Sequence, residues 1–148
     1  MSCTRRAIAL LVVLATLAML PAGCKRTPPE QKLREALISL QASVEERDVS
    51  AIQETLASDF VGHDGMDREG AGRLARLMFL RHRDIGATLG PPRISIQNEH
   101  ATVRFTAALT GGTGGIMPDA ATVHDVETAW RMEGGEWRLI SAQWTPRL

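Results

Sequence analysis

Two histidines and one neighbouring carboxylate are the residues of this sequence best suited to acid–base chemistry. His63 and Asp64 are adjacent, and His124 lies alone in a segment where polar and apolar residues alternate. An imidazole exchanges protons near neutral pH, so a histidine beside carboxylates and hydroxyls can shuttle a proton. Structural explanations also exist, because Asp64 precedes Gly65 in a turn-rich run and a single histidine on a strand needs no function.

Three further polar residues join His124 if the last two strands form a hairpin. Gly134-Gly135 between two alternating segments predicts a two-residue turn. Counting outward from that turn places four pairs on one face: Met132 with Trp137, Trp130 with Leu139, Thr128 with Ser141, and Val126 with Gln143. We therefore expect this face to be apolar near the turn and polar away from it. The pair of Thr128 and Ser141 is also explained as an ordinary cross-strand pair of hydroxyls.

The other face of this hairpin carries both charged and apolar residues. The charged ones are Asp125, Glu127, Arg131 and Arg138, and the apolar ones are Ile140, Ala142 and Trp144. We expect the first face to cover the helices. The second face is then either buried against a second copy of the chain or left with a half-exposed Trp144.

Several other classes of site find little support in the sequence. A metal ion held by His63, Asp64 and His124 would need three ligands to converge, and the spacing does not require it, so we predict no metal and no cofactor. The loop from Gly111 to Gly115 lacks the lysine and the following helix of a phosphate-binding loop and is interpreted as a flexible rim. His82 and His100 are interpreted as a helix end and a turn.

The elements that position these residues are three helices followed by strands. Apolar residues at helical spacing predict a first helix from near Glu30 to Arg47, and Asp48 caps a short second helix. The chain then turns at Ser58 and Asp59. Asp67 caps a third helix over residues 68–82, whose apolar stripe is Leu74, Leu77 and Met78.

Beyond the third helix, the hydrophobic period changes from that of a helix to that of a strand. Gly86, Gly90 and the pair Pro91-Pro92 prevent the helix from continuing. The alternating segments that follow predict strands at Ile94–Ile96, Ala101–Leu109, Thr122–Met132 and Trp137–Trp144.

Residues 1–23 have the pattern of an export signal. Arg5 and Arg6 precede an apolar run from Ala7 to Leu20, which is shorter than the roughly 20 residues of a membrane-spanning helix. Removing Arg5 and Arg6 from the 17 basic residues leaves 15 against 17 acidic ones. Such a chain has no charge excess that would attract nucleic acid, and Cys24 would be its one remaining cysteine.

The run Leu20-Pro21-Ala22-Gly23-Cys24 resembles the lipobox of bacterial lipoproteins. The resemblance implies that Cys24 becomes an acylated N-terminus and that the protein is held to a membrane of the cell envelope. Lys25 after the cysteine favours the periplasmic face of the outer membrane by analogy with that family. We thus expect a signal peptide over residues 1–23, a tether over 24–29 and one domain over 30–148.

The order of elements resembles the nuclear transport factor 2-like superfamily over residues 30–146. The closing hairpin Trp130–Trp144 and the stretch Leu56–Asp64 carry the resemblance. It implies an α+β fold, with three N-terminal helices packed on a curved antiparallel sheet in a cone whose open end is a pocket. In that cone the polar pocket residues would be His63, Asp64, His124, Thr128, Ser141 and Gln143.

Three functions are compatible with this resemblance. The first is a lipid-anchored binding or accessory module for a small ligand or a partner peptide. The second is an isomerase, dehydratase or cyclase-like enzyme, in which Asp64, the general base by resemblance, or His124 would remove a proton while Ser141 and Gln143 donate hydrogen bonds. Ketosteroid isomerase and scytalone dehydratase use tyrosine hydroxyls, and this chain contains no tyrosine, which disfavours that chemistry. The third is a structural homodimer.

Overall fold

The computed structural model describes residues 26–112 and 120–147. The predicted signal peptide, Cys24 and most of the glycine-rich loop lie outside these residues. Three helices span Pro29–Glu45 (α1), Val49–Thr55 (α2) and Arg68–Arg81 (α3). Six strands span Leu56–Val61 (β1), Asp84–Leu89 (β2), Arg93–Gln97 (β3), His100–Gly112 (β4), Ala120–Glu133 (β5) and Glu136–Pro146 (β6).

The three predicted helices are confirmed, together with two of their caps. The side chain of Asp48 accepts a hydrogen bond from the Ala51 amide at 3.0 Å, and Asp67 accepts one from the Gly70 amide at 2.6 Å. Each carboxylate satisfies an amide that has no partner inside the helix, which explains why α2 and α3 begin where they do. Within the described residues, no helix combines the length and apolar character needed to cross a membrane.

Two strands were not predicted from the hydrophobic pattern, although the resemblance placed the start of a strand within Leu56–Asp64. The expected turn at Ser58 and Asp59 is wrong, because both residues lie inside β1, which pairs in parallel with β6. β2 occupies the segment in which Gly86 was interpreted only as a helix breaker, and it pairs antiparallel with β4. β1 does not alternate between polar and apolar residues, so tertiary pairing determines it. β2 does alternate, since Ile85, Ala87 and Leu89 are separated by Gly86 and Thr88, and this signal was overlooked when Gly86 was interpreted as a helix breaker.

The sheet has the order β1-β6-β5-β4-β2, and β3 also pairs with β4. It is mixed, since β1 is parallel to β6 and the other pairings are antiparallel. The three helices pack on one side of this open sheet, which confirms the predicted α+β fold class. We call this side of the sheet the helix side and the opposite one the outer side.

The closing hairpin contains a β-bulge that changes its register. Its turn is at Gly134-Gly135, with φ angles of 59° and 87°, and the pairs Met132–Trp137 and Trp130–Leu139 are confirmed. Beyond them Ile140 has no partner, and the strand continues with Ala129–Ser141 and Thr128–Ala142. The predicted pairs Thr128–Ser141 and Val126–Gln143 are therefore wrong. One extra residue in β6 reverses which side every later side chain faces.

The helix side is tightly filled near the hairpin turn, at what we call the packed end. Trp130 and Leu33 are fully buried there against Trp137 and Leu139. The Trp130 Nε1–H donates to the Thr128 hydroxyl at 2.9 Å, and that hydroxyl donates to the Val103 carbonyl at 3.2 Å. The Trp137 Nε1–H donates to the Pro29 carbonyl at 2.9 Å, which fixes the start of α1 on the sheet.

Candidate functional site

A cavity of about 510 Å³ lies on the helix side, away from the hairpin turn. The helices contribute Val44, Ile52, Ala71, Leu74, Ala75, Met78, Phe79 and His82, β1 and the following segment contribute Phe60 and Met66, and the other strands contribute Ile85, Leu109, Thr110, Gly111, Thr122 and Trp144. Its buried wall is formed by Ile52, Phe60 and Phe79. Leu74, Leu109 and Thr122 are more exposed and surround its mouth.

The placement of α3 leaves this space. α3 packs on α2 and β1 and makes few contacts with β4 and β5 until His82, at its end, reaches Gly111. Small residues line the space, namely Ala71 and Ala75 on α3 and Gly111 on β4. The expected apolar stripe of α3 is only partly correct, because Leu77 is 42% exposed and lies outside the cavity lining, while Phe79 is buried.

Few polar side chains line the cavity. Among the described lining residues there is no Asp or Glu, and the side chains with polar atoms are those of His82, Thr110, Thr122 and Trp144. The Thr110 hydroxyl donates to the Gly86 carbonyl at 3.4 Å. The described lining is thus suited to an apolar molecule that makes a few polar contacts, to His82, Thr122 or the Trp144 indole N–H.

His82 lies over a glycine at the edge of the cavity. A methyl group at Gly111 would approach the His82 Nδ1 to 2.7 Å and the ring carbon Cγ to 3.0 Å, so the imidazole occupies the space that a side chain at Gly111 would need. Gly111 is buried and does not have a positive φ. The backbone conformation therefore does not require glycine at residue 111. Glycine is required because the His82 imidazole occupies the space of a side chain there.

The six residues predicted for the pocket are not found in its lining. Thr128 is buried at the packed end, and its hydroxyl is used by Trp130 and Val103. The bulge turns Ser141 and Gln143 to the outer side, where they pair with Ala129 and Glu127. The same shift brings Ala142 and Trp144 to the helix side, so the predicted apolar outer surface formed with these two residues is wrong.

His63 and Gln143 form a small polar cluster at the sheet edge, next to Trp144. The imidazole of His63 stacks on the Trp144 ring with 4.8 Å between centroids, and its Nδ1 is 3.3 Å from the Gln143 Oε1. The Gln143 Nε2–H donates to the Gly62 carbonyl at 3.2 Å. His63 thus supports one wall of the cavity from behind.

Asp64 and His124 are not placed together. The Asp64 side chain is 90% exposed, its nearest charged partner is the His63 Nε2 at 3.7 Å, and its φ of 55° is typical of a turn. His124 lies on the helix side opposite Ala107, and its Nδ1 is shielded from solvent without a hydrogen-bond partner in the described part of the chain. Neither residue lines the cavity, and residues 26–112 and 120–147 contain no cluster of three possible metal ligands.

The outer side of the sheet carries a second concavity, of about 690 Å³. Charged side chains of both signs line it, including Arg104, which donates to Glu127 at 2.6 Å, and Arg147, 3.5 Å from Asp125. Because these charges are exposed and largely paired with one another, they provide no preference for a ligand of one sign. A second copy of the chain on this side stays a prediction.

His82 was not predicted to line the cavity, although the sequence contains a signal for it. Leu74, Met78 and His82 are spaced by four residues, so a helix places them on one face. All three line the cavity. The interpretation of His82 as a helix end is correct for its backbone, since its amide closes α3 on the Met78 carbonyl at 2.9 Å.

No protein-family model and no curated protein sequence matches this chain. Solved structures do match it. A nuclear transport factor 2-like protein of unknown function from Pseudomonas putida has a TM-score of 0.67 at 15% identity, over 78% of this chain and 84% of its own. A candidate scytalone dehydratase from Novosphingobium aromaticivorans has a TM-score of 0.73 at 9% identity, over 80% and 84%.

A Bdellovibrio bacteriovorus protein matches with a TM-score of 0.71 at 15% identity, but this chain spans only 41% of that protein's length. Identities this low indicate shared architecture and carry no information on activity. Together with the element order and the open sheet, they show that the chain has the nuclear transport factor 2-like fold.

Proposed function

We propose that this protein is a binding module whose ligand is a small, largely apolar molecule held between α3 and the sheet. One observation carries the proposal: a cavity of about 510 Å³ whose described lining is almost entirely apolar. The volume of the cavity is in the range typical of small-molecule sites. Binding removes the apolar surfaces of the ligand and of the lining from water, and this provides the driving force. Binding is favoured over acid–base catalysis because Asp64 and His124 do not meet in the cavity.

The protein contains its own reporter for this proposal. Trp144 lines the cavity, while Trp130 and Trp137 are buried at the packed end. An undecanol brominated at the end of its chain should quench Trp144 when it binds, because the heavy atom then lies close to the indole. We expect saturable quenching below the concentration at which the alcohol aggregates, and Trp144→Phe should remove it.

Two blocking variants test whether the cavity is the site. Ala75→Phe fills it from α3, and Thr122→Phe obstructs it from the exposed end of β5 without adding a tryptophan. Leu77→Phe is the matched control, since Leu77 is exposed on the same helix and outside the lining. Circular dichroism verifies that each variant is folded. Undiminished quenching in both folded blocking variants would show that the probe binds elsewhere and would refute the proposal.

We further propose that the module is anchored to a bacterial envelope membrane through lipid on Cys24. The sequence pattern of residues 1–24 supports this, and residues 26–28 before α1 have no regular structure, as a tether requires. Two or more acyl chains would make the attachment essentially permanent. Mass spectrometry of the protein from bacterial membranes should find an N-terminal acylated Cys24. An intact Met1 would contradict the proposal, and Cys24→Ser should release the protein from the membrane fraction.

A further inference from the structure

One polar side chain of the cavity, that of His82, occupies space that is left free by a glycine. His82 occupies the space above Gly111, and the imidazole lies between the apolar lining and solvent because the residue is only partly buried. Thr110 is engaged with Gly86, so the described side chains that offer polar contacts to a ligand are His82, Thr122 and the Trp144 indole N–H. A charged group of the ligand that stays close to water should therefore lie beside the partly buried His82.

Two arginines adjoin His82 in the sequence. Arg81 and Arg83 flank it, and Asp84 follows them. No carboxylate lines the described part of the cavity. Within the described lining, an anion at this edge would thus not be repelled by an Asp or Glu side chain.

The end of α3 would ordinarily oppose an anion, because its unpaired carbonyls carry partial negative charge. Arg47 offsets this effect. Its guanidinium donates to the Phe79 carbonyl and, at 3.4 Å, to the Arg83 carbonyl, and it lies 5.9 Å from the centre of the Phe79 ring. The last turn of the helix is therefore capped by a cation directly behind the cavity wall.

We infer that the ligand is an anionic amphiphile, whose apolar body fills the cavity and whose carboxylate or similar oxyanion accepts a hydrogen bond from His82 at the mouth. This inference rests on the proposed apolar binding function and adds the class of head group. His82 is assigned as a residue that determines specificity. Gly111 is assigned as the residue that positions it.

The test compares two probes that differ only in the head group: undecanoate and undecanol, each brominated at the far end of the chain. We expect the carboxylate to bind more tightly than the alcohol. His82→Leu should lower the ratio of the two affinities about tenfold, the usual worth of a hydrogen bond to a charged group. His82→Gln, which keeps an N–H donor, should restore part of that ratio.

Gly111→Ala provides an independent check, because its methyl group would displace the imidazole without removing it. We expect this variant to lower the affinity ratio as His82→Leu does, and to have no further effect on the ratio in the His82→Leu background. His100→Leu, at an exposed histidine outside the cavity, is the control and should leave the ratio unchanged.

The possible failures are distinguishable. If the alcohol binds as tightly as the carboxylate, or if the ratio is the same in the folded His82→Leu variant, the inference is overturned while the binding function stands. If neither probe quenches Trp144, the proposed function is itself wrong and the head-group assignment falls with it.

Discussion

The two ends of the helix side are built from the same strands but filled differently. At the packed end, Trp130 and Trp137 occupy the space between sheet and α1, and both are almost fully buried. At the cavity, small residues such as Ala75 on α3 and Gly111 on β4 face the space, and α3 makes few contacts with β4 and β5. The difference indicates that one end stabilises the fold, whereas the other keeps a space that the side chains of the described residues do not fill.

The largest expected effect comes from removing one tryptophan at each end. Trp130→Ala should lower the free energy of unfolding by about 3–5 kcal/mol, because it leaves a large cavity in a core that cannot collapse around it. Trp144→Ala should cost on the order of 1 kcal/mol, since Trp144 is only partly buried and already borders empty space.

Urea unfolding followed by circular dichroism measures both losses without depending on tryptophan fluorescence. Equal losses at the two positions would refute the division between a stabilising end and a binding end.

A smaller effect is expected from two threonines on β5. Thr128→Val keeps the shape of the side chain but leaves the buried Trp130 Nε1–H without its acceptor, which should cost about 1–3 kcal/mol. Thr122→Val at the mouth of the cavity removes an exposed hydroxyl and should change stability by less than about 0.5 kcal/mol. Thermal unfolding of the pair measures the contrast, and a cost at Thr122 as large as that at Thr128 would contradict it.

The packed end was predicted better from the sequence than the cavity was, and the contrast between the two ends explains why. The packed end depends on local signals, namely the Gly134-Gly135 turn and the tryptophans that follow it, so its pairs Met132–Trp137 and Trp130–Leu139 were predicted correctly. The site depends on the unpaired Ile140 beyond them. The sequence does mark this residue, because the apolar positions change phase from Trp137 and Leu139 to Ile140, Ala142 and Trp144. Strict alternation was assumed instead, so Ser141 and Gln143 were assigned to the wrong side of the sheet.

The cavity was also hard to predict because it is defined by what is missing. Ala75 and Gly111 carry no chemistry of their own, and their role appears only when α3 and β4 are placed opposite each other. The predicted ligand site was polar, whereas the observed lining is apolar. A search for residues capable of catalysis selects polar side chains, and it therefore passes over a pocket whose main property is the absence of water-binding groups.

The smallest predicted effect concerns an ion pair on the outer side of the packed end. Arg131 on β5 reaches across β6 to Asp59 on β1, with Nη1 and Nη2 at 3.1 and 2.9 Å from the two carboxylate oxygens, and it also contacts Glu133. The hydrogen bonds from Arg131 lower the pKa of Asp59 below its usual value. The carboxylate contributes stability at pH values above its unfolded pKa of about 3.9, and this contribution is lost as the pH falls through the lowered folded pKa.

Asp59→Asn tests this linkage and its cause. The variant should be slightly less stable than the original protein at pH 6, and the difference should shrink as the solution is acidified below about pH 3.9. In an Arg131→Gln background the same substitution should have a much weaker pH dependence, because the group that contributes most to the lowered pKa is gone and only a backbone hydrogen bond still lowers it. Urea unfolding across this pH range measures both. If the difference in stability between the original protein and the Asp59→Asn variant persists undiminished at the acidic end, the pair does not tie β1 to the packed end through its charge, and only its shape contributes.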